Sequence, residues 1–212
     1  AFVGGWRNEA IAVWIGSNGA TEKISTRDIE QILSQYTESE LEKIVVEARV
    51  VDGHQFLYVH LPDQTLVYDG STSKALNSFV WFKLSSGIIG NETYRARNFV
   101  YCYNKWLCGD PTSAHHGYLD YSVSSHYGSV IGWEFGTTII YNNGSGAIIH
   151  ELELVCLTGR VALGVSPVIT TAYSVDGLTW SQERPRSTGM IGETLKRINW
   201  LQNGFFRDRK ST

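Results

Sequence analysis

From residue 43 to 87 the chain reads KIVVEARVVDGHQFLYVHLPDQTLVYDGSTSKALNSFVWFKLSSG, a succession of alternating apolar runs cut by Asp52-Gly53, Pro62-Asp63 and Asp69-Gly70. An Asp-Gly pair accepts the positive φ that a two-residue hairpin turn requires, and between alternating runs it is the strongest local hairpin signal. The segment predicts four strands in an antiparallel meander, and a meander of ~40–45 residues is the size of one β-propeller blade. NETYRARNFVYCYNKWLCGDPTSAHHGYLDYS (91–122) starts the pattern again. There RNFVYCYNKWLCGD matches HQFLYVHLPDQTLVYDG as strand, polar turn, strand and acidic end, with little identity. The chain therefore reads as mainly β, antiparallel and β-propeller-like, with blade-like units at about 44–90 and 91–160.

Upstream, FVGGWRNEAIAVWIGSN (2–18) reads as two short strands around a turn. STRDIEQILSQYTESELEKI (25–44) then changes period, placing Ile29, Ile32, Leu33 and Tyr36 on one helical face. Thr26 is positioned to cap this helix, and Thr37 with Glu40 forms a T-x-x-E capping box for a second short turn. This insertion near 26–43 is the one helical stretch predicted in the first 190 residues. Downstream, residues 139–159 read as a hairpin closed at Asn142–Gly146, 167–180 as a strand leading into SVDGLTW, and 192–210 as either a short helix or a strand, with strand favoured by its aromatics and Asn203-Gly204.

The 212 residues are 42% hydrophobic, 12% aromatic and 18% charged. So much apolar material offsets chain entropy and excludes a disordered chain. The glycines have no three-residue period, which excludes collagen. No stretch reaches the ~20 apolar residues of a membrane-spanning helix, and no basic start precedes an apolar run, so neither a membrane partner nor a secretion signal is predicted. The length predicts one domain over 1–212 or the C-terminal part of a larger one, and a start at Ala1, in mid-pattern, favours the fragment.

The net charge of −3 conceals an asymmetry: residues 1–183 carry 11 basic and 19 acidic groups, and residues 184–212 carry 7 and 2. The basic C-terminal segment 184–212 predicts an acidic partner, nucleic acid or the acidic face of a neighbouring copy, or else a solvated tail. The three cysteines, an odd number, read as reduced and mostly buried thiols of a protein assembled in a cytosol, with a Cys102–Cys108 bridge left open.

Catalytic, cofactor-binding and metal sites are all predicted absent. The chain has no phosphate loop, G-x-G-x-x-G, H-E-x-x-H or G-x-S-x-G motif. His115-His116 with His126 and Asp120 invite a metal or acid–base reading. Adjacent histidines on a strand face opposite sides, however, and the cysteine–histidine spacing is not that of zinc, so these read as surface loop residues. Glu134, Asp120 and Asp110 read as carboxylates that satisfy turns.

The sharpest local motif is YSVDGLTW (173–180), where Ser174, Asp176 and Gly177 close a tight turn and Trp180 is expected to pack the strand behind it. It resembles the Asp box of sialidase-type propellers, S-x-D-x-G-x-T-W, with one residue fewer between Asp and Gly. In those propellers the box is a structural turn remote from catalysis. The aromatic load on strand segments, Trp81, Tyr101, Trp106 and Trp133 among it, reads as core packing, with a protein interface or carbohydrate stacking as alternatives.

Three longer segments carry a family likeness: residues 97–135, HELELVCLTGRVALG (150–164), and 171–210. Their matching pieces are the YNKW-L-GDP strand–turn, the LELxxxTG strand, the AYSxDGxTW turn, and a closing pattern of Gly192, Arg197, Trp200, Gly204, Phe205 and Arg207. Together they resemble the packaged-DNA stabilization family, the tail hub (knob or nozzle) proteins of short-tailed phages of enteric bacteria. The likeness covers about residues 50–210, and residues 1–45 are not placed by it.

The resemblance implies a non-enzymatic virion component with a propeller-like antiparallel fold. Such proteins form a ring, in the family a hexamer, below the portal and its adaptor. They continue the DNA channel, retain packaged DNA, and anchor the tail needle and tailspikes. The implied partners are further copies of the chain, the adaptor or portal-side protein, needle and tailspike proteins, the N-terminal part of the same chain, and channel DNA bound without sequence specificity. No cofactor is implied, and the implied setting is the virion tail, assembled in the bacterial cytoplasm. Arg184, Arg186, Arg197, Trp200, Phe205 and Arg207 are the candidate interface residues. The competing readings are a sialidase-like propeller glycosidase, which would need an arginine cluster beyond Arg95 and Arg97, and a non-catalytic carbohydrate-binding adhesin.

Overall fold

A computed structural model describes residues 1–5, 9–88, 92–120, 122–137 and 145–207. At its start β1 (Phe2–Gly4), β2 (Ala12–Ser17) and β3 (Ala20–Lys23) form a three-stranded antiparallel sheet. α1 (Arg27–Leu33) and α2 (Glu38–Leu41) follow, as the period change in the sequence predicts. Ile29 and Leu33 are buried, with Ile32 and Tyr36 packed beside them. At α2, Glu40 accepts the Thr37 backbone N–H at 2.8 Å and the Thr37 hydroxyl at 2.7 Å, holding the first turn closed.

β4 (Val45–Val51), β5 (His54–His60) and β6 (Thr65–Asp69) continue the chain. Asp52 and Gly53 have φ of +47° and +84° and turn β4 onto β5 in two residues. Leu61 and Gln64 close the next turn by an N–H···O bond of 2.8 Å. The third expected turn is different. Asp69 instead caps a helix, α3 (Gly70–Leu76), its carboxylate accepting the Thr72 N–H at 2.9 Å, and Asn77 ends it in the left-handed region. The predicted single helical insertion is thus corrected to two helical places. α3 escapes the periodicity because Ser73 is its only buried residue. β7 (Trp81–Leu84) completes the antiparallel sheet β4-β5-β6-β7.

β8 (Arg97–Cys102), β9 (Lys105–Gly109) and β10 (His116–Tyr118) make a three-stranded antiparallel sheet, and β11 (Ser125–His126) pairs with β12 (Ser129–Val130). The β4–β7 sheet is covered on both faces. Leu57, Val59, Leu66 and Tyr68 pack with Val13, Ile24 and α1. The opposite set, Tyr58 and Val67, packs with Tyr94, Cys108 and Phe99. This alternation is the period of two that the strands show in sequence.

These elements belong to one compact unit, Ala1–Phe135; a second comprises Gly136–Thr212. In the second, β13 (Gly146–Ile148), β14 (Glu151–Leu154), β15 (Val168–Thr171), β16 (Arg184–Ser187), β17 (Ile198–Leu201) and β18 (Phe205–Arg207) pair as β13–β18, β14–β17 and β15–β16, all antiparallel. The first arm of the hairpin expected over 139–159, and most of its turn, lie outside the described residues; β13 and β14, in its second arm, pair with β18 and β17. Register explains the LELxxxTG and closing patterns. Leu152 faces Trp200 and Leu154 faces Ile198; Trp200 and Ile198 are the two buried hydrophobics among the described residues of this unit. Gly159 has φ +70°, and a Cβ there would lie 2.7 Å from the Glu193 backbone, while its carbonyl accepts the Gly192 N–H at 3.1 Å. Within 192–207 the aromatic pieces are strand, β17 and β18, as those aromatics predict, while 192–197 is turn.

All three cysteines are free thiols. Cys108 is buried and Cys102 half-buried, but Cys156 is exposed just beyond β14, so the expectation of mostly buried thiols holds for the first pair only. Among the described residues no helix is long and apolar enough to cross a membrane.

Candidate functional site

The turn 173–181 is built around Asp176. Its Oδ1 accepts the Thr179 N–H at 2.7 Å, the Leu178 N–H at 2.9 Å and the Ser174 hydroxyl at 3.0 Å, while Ser174 Oγ accepts the Gly177 N–H at 2.9 Å. Gly177 has φ +75°, where a side chain would be strained. Below the tip, Tyr173 and Ser181 exchange hydrogen bonds of 3.0 and 2.8 Å, and Ser174 bridges to Trp180. The backbone N–H groups of Thr179 and Leu178 hold the Asp176 carboxyl far below the usual carboxylate range. A carboxylate so saturated and so acidic has no proton to give at neutral pH. The turn does not bury its tryptophan: Trp180 is 64% exposed, which corrects the expectation that it packs the strand behind. Val175 and Leu178 are exposed on the same tip.

The basic segment is stitched into its own sheets. Arg184 donates from Nη1 to the carbonyls of Leu201 (2.9 Å) and Gln202 (3.4 Å), and from Nη2 to Asn203 Oδ1. Arg186 Nε donates to the Asn199 carbonyl at 3.0 Å. Trp200, buried, donates from Nε1 to the Arg184 carbonyl at 2.7 Å. β16 is thereby tied to β17 through side chains. Arg197 grips Glu153 through two bonds of 2.7 Å and lies 3.6 Å from Glu151. Phe205 is exposed opposite Ile148, its ring over Gly146. Arg207 pairs through its backbone with Gly146. Of the six candidate interface residues, Trp200 is core, Arg184 and Arg186 are staples and Arg197 is ion-paired; Phe205 presents an apolar side chain.

The histidines and carboxylates singled out in the first unit disperse. His115 Nδ1 lies 2.7 Å from Ser113 Oγ, His116 sits exposed on β10, and His126 Nδ1 lies 2.9 Å from Ser86 Oγ with its ring edge-on to Tyr94. Burial, with the nearby Arg95 charge, pushes the His126 pKa down. Asp120 accepts from the Ser122 N–H and hydroxyl at 2.9 and 2.7 Å. Asp110 accepts Arg95 Nε at 3.1 Å and Nη2 at 2.5 Å and caps Thr112 and Ser113; the Arg95 guanidinium holds it well below the usual range. Arg97 donates to the Leu61 carbonyl at 3.3 Å. The arginine pair a sialidase reading relies on is thus engaged inside the fold. Among the described residues no group of three or more His, Cys, Asp and Glu is placed to hold a metal.

Glu47, which the sequence did not single out, joins two sheets. Its Oε2 accepts His60 Nε2 at 3.0 Å and the Asn98 N–H at 3.1 Å, and its Oε1 accepts the Phe99 N–H at 3.2 Å. Asn98 has φ +58° and sits in a bulge between Arg97 and Val100, so one carboxylate from β4 fixes the kink in β8. Arg49 lies beside it, over the rings of Tyr58 and Phe99. The sequence signal was Arg-Asn-Phe, an Asn inside a strand run.

Comparison with known proteins fits this division. A family model described as Bacteriophage P22 Gp10, beta-propeller, matches residues 1–124. The chain belongs to this P22 Gp10 family. A second family model, Bacteriophage P22 Gp10, beta-sandwich, matches residues 132–211, so the change of family model falls close to the change of unit after Phe135. The tail hub protein gp10 of Salmonella phage P22 is 30% identical over 207 residues, 98% of this chain and 42% of that protein. The chain thus spans less than half the length of this relative. The likeness drawn from residues 50–210 holds and extends over the N-terminal strands that it left unplaced.

Within the Gp10 family match, the two parts differ in how they bury apolar surface. Among the described residues the propeller part buries fifteen hydrophobic side chains, and the sandwich part buries two, Ile198 and Trp200. Conversely, fifteen large hydrophobic side chains of the second unit are exposed, including those of the Asp176 turn and the Ile148–Phe205 pair. Surface hydrophobics are ordinary taken singly, but in this unit they outnumber the buried ones fifteen to two among the described residues.

Proposed function

We propose that this chain is a structural component of a phage tail hub, acting through assembly and not through catalysis. The observation that carries this reading is the second unit's excess of exposed over buried hydrophobic side chains. A small β unit built this way gains its stability from what it touches. The matched relative is itself a tail hub protein. In this reading the chain forms rings below a portal and adaptor, lines the passage taken by DNA, and helps hold needle and spike proteins. Rings arise when one heterologous contact repeats until the rotation closes. Phe205, Ile148 and the apolar tip of the Asp176 turn are the contact residues, while Arg184, Arg186 and Trp200 keep the sheet that presents them in shape. Asp176 serves as a structural turn with Ser174 and Gly177.

Negative-stain microscopy of the purified chain tests this, with closed ring-shaped particles expected. An assay against sialylated oligosaccharides and bacterial polysaccharides should give no hydrolysis. Turnover of either substrate would overturn the assembly reading in favour of a propeller glycosidase.

A further inference from the structure

In the first unit the β4–β7 and β8–β10 sheets meet face to face, and the filled contact stops short of their hairpin ends. Tyr58 and Val67 from one sheet pack against Phe99 and Cys108 from the other. Two residues further along each strand, toward the turns at Asp52-Gly53 and Tyr103-Asn104, the same faces carry the cross-strand pairs Arg49–Phe56 and Tyr101–Trp106. A cleft of about 320 Å³ lies there, lined by Arg49, Phe56 and Trp106. Its rings are only partly covered: Phe56 and Trp106 are half-buried, and Tyr101 is 57% exposed. Their positions are nonetheless fixed by neighbouring rings. Tyr101 packs on Trp106 at 5.2 Å between ring centres, and Phe56 is held by His54 at 5.7 Å and Phe82 at 5.9 Å.

Arg49 brings donors to this cleft that the fold does not use. A guanidinium has five N–H donors. Among the described residues, Nη2 donates to Tyr58 Oη at 2.6 Å, and Nε is buried with no acceptor. The Glu47 carboxylate, two residues away on the same face, is taken by His60 and by the Asn98 and Phe99 N–H groups. Unmet donors in a partly desolvated site favour an acceptor that comes from outside. We propose that this cleft binds an acidic sugar, a pyranose ring bearing one carboxylate, with the carboxylate on Arg49 and the ring between Phe56 and Trp106. The C–H face of a pyranose stacks on an aromatic ring, and a guanidinium fork matches a carboxylate through two parallel hydrogen bonds. The volume is at the small end of ligand pockets and suits a single ring. An aspartate or glutamate side chain has no ring face to offer the aromatic walls. A nucleic-acid backbone is disfavoured by charge, since residues 1–135 carry 10 basic and 15 acidic groups. The inference concerns binding without catalysis and does not depend on the tail-hub reading.

An NMR titration that follows the backbone amides and tryptophan indoles of the intact chain tests it. The probe is methyl β-D-glucuronide, compared with methyl β-D-glucoside, acetate and N-acetylglutamate methylamide. The glucuronide should bind about tenfold or more tightly than each of the other three. Arg49→Gln and Trp106→Ala should each weaken it about tenfold or more, with the remaining amide spectrum reporting an intact fold. If either change disturbs the fold, Tyr101→Ala, at an exposed position, probes the same wall and should also weaken binding. Tyr118→Ala, on the opposite face of the β8–β10 sheet, should leave binding unchanged. Absence of glucuronide binding overturns the proposal, as does equal affinity for the neutral glucoside. Binding of the glutamate derivative as tightly as the glucuronide overturns it too, and assigns the cleft to an acidic side chain of a partner protein. Loss of binding in Tyr118→Ala, or none in folded Arg49→Gln, would show that the sugar sits elsewhere.

Discussion

Glu47→Ala removes the acceptor that ties β4 to the bulge of β8. The Glu47 side chain is 16% exposed and the His60 side chain 0%. The His60 Nε2–H has no route to water, and an orphaned buried donor costs ~1–3 kcal/mol. The Phe99 N–H, half-buried, loses a bond worth ~0.5–1.5 kcal/mol. Asn98 is exposed, so its N–H can bond to solvent. The expected loss is ~2–4 kcal/mol for Glu47→Ala and, since the amide keeps one acceptor oxygen, ~1–2 kcal/mol for Glu47→Gln. Burial alone would raise the Glu47 pKa, but the His60 hydrogen bond and the Asn98 and Phe99 N–H donors bring it below the ordinary value of 4.5. A depressed native pKa stabilises fully above the unfolded value and is lost as pH falls through the native one. The gap between wild type and Glu47→Ala should therefore be constant above about pH 5.5 and narrow as pH falls from there through the native pKa. Guanidinium titrations at pH 7 and along an acid series measure it. A gap under ~0.5 kcal/mol at pH 7, or one that does not narrow in acid, would show that apolar contacts alone hold the two sheets.

Three further outcomes are expected. Trp180→Ala should change stability by less than ~0.5 kcal/mol in a denaturant titration, because the ring is mostly in solvent, whereas Asp176→Ala should speed amide exchange at Leu178 and Thr179. Trp200→Ala should cost ~3–5 kcal/mol, seen as lost exchange protection in β14 and β17, since it removes one of the two buried hydrophobics there. Maleimide should label Cys156 at once, Cys102 more slowly and Cys108 only under denaturing conditions, as judged by intact mass.

Where turn chemistry and period agree, the fold was legible. Asp52-Gly53 and the helical face of α1 each impose one backbone geometry, and both are found. Asp69-Gly70 shows the limit. The same dipeptide serves as a hairpin turn or as a helix cap with its first helical residue, and the Ser-Thr-Ser that follows Asp69 tips it to the cap. The pairing of β13 with β18 and of β14 with β17 was not legible, because strand pairing between residues 44 to 61 positions apart leaves no local mark. Glu47 was invisible for the same reason: its partners on β8 lie about fifty residues away. Trp180 was recognisable as an important apolar position but not as an exposed one. Sequence pattern distinguishes apolar from polar, and an interface to another chain has the same pattern as a core.

The charge of the C-terminal segment, by contrast, is legible only after its partners are known. Arg197 sits between Glu151 and Glu153, so one basic group of the segment is neutralised by acids outside it, and Lys196, 3.2 Å from Glu193, is paired within it. Arg184 and Arg186 direct N–H groups at carbonyl oxygens of their own sheet. A surface held together by phosphate or carboxylate contacts would need those donors free. The exposed Ile148–Phe205 pair and the Asp176 tip are under no such constraint, and in the proposed assembly they carry the contact. Hydrophobic contact is strengthened by excluded salts and barely screened, whereas contact through cations weakens steeply as counterions compete. Raising sodium sulfate from ~50 to ~500 mM should therefore leave self-association unchanged or tighter. Dissociation by salt would show instead that the arginines carry the contact.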